Sequence, residues 1–152
     1  MIQLVGIWEG TGIASYPTID TTPYREVLTV QQQDDIPRLF YEQKTWRTVD
    51  STEQILHWET GFIRHLENET YEWINSQNNG RLELMHGVIK DEASVVSLLF
   101  KTVTFVNDPR MLAATRHLTI SQDALHYQHM MATQTHDAQQ HLHLEAHLKR
   151  KS

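Results

Sequence analysis

The chain has 152 residues, 39% of them apolar, with no cysteine, ten histidines and a formal net charge of −6. That length fits one domain with one core, and the acidic balance argues against a nucleic-acid partner, whose phosphates demand a basic face. Lack of cysteine excludes disulfides, thiolate metal sites and cysteine nucleophiles, and no stretch approaches the roughly 18 apolar residues of a membrane span.

Taken in order, the first ten residues carry neither a basic segment nor a continuous apolar run. No signal peptide is therefore expected, and the cytoplasm is the expected compartment. Gly6-Ile7-Trp8-Glu9-Gly10-Thr11-Gly12 follows. Alternate strand positions share a face, so Gly6, Gly10 and Gly12 leave a bare stripe beside Trp8. Such a stripe permits a bend or a close backbone approach at a barrel corner; admission of a flat ligand is the second reading. Tyr16-Pro17-Thr18-Ile19 is stiffened by Pro17, and Thr18 either contacts a ligand at a barrel mouth or merely closes a turn.

The middle of the chain alternates with period two, the mark of half-buried strands. Val27 and Thr29 oppose Glu26, Leu28 and Val30; Phe40 and Trp46 oppose Leu39 and Tyr41; Leu112, Ala114, Arg116, Leu118 and Ile120 oppose Thr115, His117 and Thr119. Residues 125–133 and 141–149 behave likewise. Turn signals separate these runs at 33–37, 49–51, 67–69, 78–80, 107–109 and 121–123, with Asn79-Gly80 the best of them. Short helices are expected over 19–24 and 109–113. About ten strands in one domain, spanning residues 1–152, predict an all-β fold, with a closed antiparallel barrel preferred because closure removes exposed edges.

Six of the ten histidines lie between 126 and 147. His141, His143 and His147 fall in a strand-like run, Gln140-His141-Leu142-His143-Leu144-Glu145-Ala146-His147-Leu148-Lys149, that can present nitrogen to a metal.

The ordered set of Gly6-x-Trp8-x-Gly10-x-Gly12, Tyr16-Pro17-Thr18-Ile19, the 41–46 and 56–64 segments, Gln77-x-x-Gly80, Met131-Ala132-Thr133 and Gln140-His141-Leu142-His143 resembles the nitrobindin family across about residues 4 to 149. The resemblance implies a barrel like those of fatty-acid-binding proteins and lipocalins, with haem b at its mouth. It implies His141 as the axial iron ligand, Thr18 at the haem site and His57 near the distal side. It further implies ferric isomerisation of peroxynitrite to nitrate and ferrous binding of nitric oxide; a monomer or homodimer is expected. Where many members carry another glycine, this chain has Ala14.

The alternation resists one part of this. If Leu142, Leu144, Ala146 and Leu148 point inward, His141 points out. Either a bulge near 140–142 re-aims a side chain, or the group lies in an open cleft at the rim; the rim cleft is the favoured reading. Leu56, Met85, Met130 and Met131 are candidate lining. His57 reads first as a satisfied structural histidine and second as a distal donor.

Three rivals stand beside this reading. A haem-free carrier of a fatty acid or other hydrophobic molecule would make His141 incidental. A zinc or copper site would draw on His141, His143 and His147, with His126, His129 or His136 nearby, though without the helical HExxH spacing. A hydrolase fares worst, because Ser15, Ser76, Ser94 and Ser97 lack a nucleophile-elbow context and Glu59 and Glu83 show no readable acid/base pairing.

Overall fold

Alternation of side chains dictates the architecture. In a computed structural model describing residues 2–32, 36–92 and 94–151, ten strands wind into one closed barrel. They are β1 (Gly6–Tyr16), β2 (Ile19–Gln32), β3 (Arg38–Val49), β4 (Thr52–His65), β5 (Thr70–Gln77), β6 (Leu82–Glu92), β7 (Val95–Val106), β8 (Met111–Ser121), β9 (Ala124–Thr133) and β10 (Asp137–Arg150). Each strand pairs antiparallel with its neighbours in sequence, and β1 closes on β10 through pairs such as Gly10 with Leu148 and Gly12 with Ala146.

The expected alternation is observed in detail. Glu26, Leu28 and Val30 of β2 are buried while Val27 and Thr29 are half-buried. Arg116 points inward with Ala114, Leu118 and Ile120. Tight connections fall at the turn signals, with Asp50, Ser51, Asn68, Glu69, Asn107 and Gln122 at positive φ and Gly80 at +87°. The signal at 33–37 lies largely outside the described residues.

The two expected short helices are absent. Residues 19–24 begin β2, where Pro23 pairs with Ile13 and Ile19 pairs with Tyr16, and 111–113 begin β8, where Met111 pairs with Thr133. β-Branched Ile19, Thr21 and Thr22 fit an extended backbone, and the ladder to β1 satisfies its hydrogen bonds. Among the described residues the only helical segment is a single 3-10 turn at Ile2–Leu4.

The glycine stripe is structural. A Cβ at Gly10 would lie 2.1 Å from the carbonyl oxygen of His147, and one at Gly12 would lie 2.4 Å from the Tyr24 ring. Bare backbone on β1 lets β10 close against it. Trp8, fully buried, donates from Nε1 to the Leu4 carbonyl at 2.8 Å. With Leu39, Ile63, Leu98, Leu125 and Leu148 it fills the end of the barrel where β1 begins and β10 ends. The opposite end, ringed by the β1–β2, β3–β4, β5–β6, β7–β8 and β9–β10 turns, is left open for a site.

Candidate functional site

A cavity of about 290 Å³ opens at that end, close to the lower limit usual for small-molecule sites, roughly 300 Å³. Its wall is largely apolar, with Ala14, Leu28, Leu56, Trp73, Leu118, Met131 and Leu144. Arg81 and Arg110 also line it, and both engage Asp108, at 3.7 and 2.9 Å. Two of the four lining residues expected from sequence, Leu56 and Met131, are present. Met85 is instead fully buried, and neither it nor Met130 lines the cavity.

The histidines of β10 are sorted by backbone register. The β9–β10 ladder shifts between Asp137 and His141 and again between Leu142 and Leu144. The second shift sits at His143. A bulge of this kind brings two consecutive side chains towards one face, and His143 and Leu144 both line the cavity. Beyond it the simple alternation resumes, with Ala146 and Leu148 buried and His147 exposed. Of the two resolutions expected for the conflict between inward leucines and an inward histidine, the bulge is observed, at His143, with a further register shift between Asp137 and His141.

His141 is not part of the cavity wall. Its Nε2 lies 3.2 Å from both carboxylate oxygens of Asp137, and its ring packs edge-on against Tyr16 and His136. Thr18 is exposed at the tip of the β1–β2 turn and is likewise absent from the wall. His57 does line the cavity, with Nε2 donating to Glu59 at 3.0 Å.

His143 has the features of a ligand. Its Nδ1 lies 3.1 Å from the Ser15 carbonyl oxygen. A carbonyl only accepts, so Nδ1 carries the proton and Nε2 carries the lone pair. This is the arrangement by which a backbone carbonyl fixes the tautomer of a metal-binding histidine. Burial pushes the His143 pKa down, and the charges of Arg81 and His57 push the same way, against the Ser15 bond. The imidazole is therefore held neutral.

His129 on β9 packs edge-on against His143 at 6.0 Å between ring centroids. It is buried, lines the cavity, and its Nε2 has no partner among the described residues. Burial, then the Arg116 charge, hold its pKa well below the usual histidine value. The sequence contained the signal for it, since Leu125, Tyr127 and His129 share one strand face.

The cavity floor is a polar network. The Arg116 guanidinium pairs with both oxygens of Glu59, with Nη2–Oε2 at 2.9 Å, and its Nη2 also reaches Glu83 at 3.3 Å. Tyr41 donates to Glu59 at 2.8 Å. Burial alone would raise the Glu59 pKa, but the Arg116 charge and the hydrogen bonds from His57 and Arg116 hold it well below the usual range. Glu59 and Glu83 are thus paired through a shared arginine and not as an acid and a base.

Among the described residues Glu26 has no such cation in contact. It is fully buried beside Gln43 (2.8 Å) and Tyr127 (2.6 Å). Burial pushes its pKa from 4.5 up to about 8, although both hydrogen bonds oppose the rise. The folded state therefore binds this proton more tightly than the unfolded chain. Its contribution to stability is complete below the unfolded value and is lost as pH rises through about 8. Glu26→Gln removes the titration. Its stability relative to the wild type, measured by urea unfolding, is expected to rise from about pH 5 to about pH 9 by on the order of 4 kcal/mol. A difference that does not change with pH would show that Glu26 stays ionised.

These features suit a flat, mostly apolar group bound through iron: a neutral imidazole with its tautomer fixed, apolar walls, and guanidinium groups that complement carboxylates. Residues 1–150 match the model of the THAP4-like, heme-binding beta-barrel domain. The chain is 30% identical over 155 residues to peroxynitrite isomerase 2 of Mycobacterium ulcerans, covering 100% of this chain and 93% of that one. It is 27% identical over 139 residues to a peroxynitrite isomerase from Arabidopsis thaliana, covering 91% of this chain and 81% of that one. The crystal structure of Rv2717c from M. tuberculosis superposes with a TM-score of 0.90 at 27% identity, covering 99% of this chain and 94% of that one.

Proposed function

The chain belongs to the THAP4-like, heme-binding beta-barrel domain family, with haem as cofactor, and from that premise we propose that it holds haem b through His143 and isomerises peroxynitrite to nitrate. The observation that carries the reading is the His143 imidazole on the cavity wall, its Nδ1 tied to the Ser15 carbonyl. Absence of cysteine rules out thioether attachment, so the group would be held without a covalent bond to a side-chain sulfur.

When bound, the haem supplies a Lewis-acidic ferric iron for the rearrangement and, once reduced, a site for nitric oxide. The chain's own residues ligate, orient and shield. Ser15 fixes the His143 tautomer, and burial keeps the ring unprotonated at neutral pH. Leu56, Leu118, Met131 and Leu144 exclude water, while Arg81 and Arg110 would hold the carboxylates of the group at the mouth. His57 is committed to Glu59 through Nε2; His129 keeps in the cavity wall a nitrogen without a partner among the described residues. His141 is joined to Asp137 and stands outside the cavity wall. The haem-free carrier reading falls away with the family assignment.

Stopped-flow mixing of the haem-loaded protein with peroxynitrite tests the proposal. The expected result is decay that accelerates in proportion to the haem-loaded protein, with nitrate as product. Decay no faster than with an equal amount of the haem-free protein would contradict it.

A further inference from the structure

We propose that the outer face of β9 and β10 binds a divalent late-transition ion, of the zinc, copper or nickel class, through His126, Glu145 and His147. Beyond the bulge, β10 turns Ala146 and Leu148 inward and leaves Glu145 and His147 on the outer wall. The ladder sets His147 directly opposite His126 and Glu145 opposite Gln128. The two imidazoles stack at 4.4 Å with an interplanar angle of 18°. Nε2 of His126 lies 2.9 Å from Oε1 of Glu145. One donor atom from each of the three residues lies within 4.8 Å of the other two.

Two imidazole nitrogens and a carboxylate oxygen form a donor set for borderline ions, with water completing the shell. Gln128 supports it from behind, donating from Nε2 to Glu145 Oε1 at 3.0 Å. Such an amide fixes the carboxylate as partners of metal ligands do elsewhere. All of these side chains project from paired strands, so their spacing is set by the ladder and not by a loop. The site is separate from the haem cavity, since it uses the opposite face of the same two strands. An ion there would tie β9 to β10 across the ladder that carries His129 and His143 on its inner side. Binding to the folded state alone would then raise the unfolding temperature.

A second cluster, His136, Asp137 and His141, also gathers its donors within 4.8 Å, so the test removes it first. Haem-loaded His136→Ala protein, stripped with chelator, is titrated calorimetrically with zinc chloride. The expected result is one equivalent bound with a dissociation constant on the order of micromolar, and an unfolding temperature that rises with zinc. Adding His126→Ala or His147→Ala weakens binding at least about tenfold and abolishes the thermal rise, with the Soret band unchanged. His147→Gln, which keeps a polar side chain at an exposed position, is the second variant and behaves the same way. Binding weaker than about millimolar in the parent protein, or binding that the His126 and His147 changes leave intact, would overturn the proposal.

Discussion

His143→Ala is expected to abolish tight haem binding, while His141→Ala leaves it within a few-fold of the wild type. Changes to the partners of metal ligands cost about 10–100-fold in affinity, so removal of the ligand itself costs at least about a hundredfold. The structure separates the two histidines, which lie two residues apart. His143 lines the cavity with its tautomer fixed by Ser15. His141 is engaged by Asp137 outside the wall. Haemin titration followed at the Soret band reads both variants. Loss of binding in His141→Ala with retention in His143→Ala would reverse the assignment.

The second large effect lies beneath the cavity. Arg116→Met removes the cation from between Glu59 and Glu83, both about 2% exposed. The carboxylates are then left buried without their counter-ion, which costs about 3–5 kcal/mol in comparable buried pairs. Arg116→Met combined with Glu59→Leu should recover much of that loss, because no unpaired charge remains at that position. Tyr41 keeps a hydroxyl there, so recovery is incomplete. Urea unfolding of the haem-free proteins measures both. An Arg116→Met stability within about 1 kcal/mol of the wild type would show that the two carboxylates do not depend on that counter-ion.

How much of this was legible follows from the physics of strands. Period-two alternation and turn residues are local, so the ten-stranded barrel, its turns and the inward position of Arg116 could be read directly. The partner of Arg116 could not, because Glu59 lies 57 residues away and only barrel closure brings the two together. What could not be read was the inward turn of His143 onto the cavity wall, which a single bulge produces. Alternation assigns faces correctly only while the register is unbroken, and the shift beside His143 re-aims the side chains from there to His141. Thr18 sits exposed on the β1–β2 turn and does not line the cavity. The helices expected near 19 and 109 failed for the opposite reason, because ladder pairing with β1 and β9 overrides weak local preferences.

The assignment of iron to Nε2 of His143 is tested most directly by replacing that side chain with glycine and adding imidazole. His143→Gly protein is expected to bind haemin poorly alone and to regain a wild-type-like Soret band as imidazole is added. His141→Gly protein should need no imidazole. A His143→Gly protein whose haem spectrum matches the wild type without imidazole would show that His143 does not hold the iron, as would one that stays colourless when imidazole is supplied.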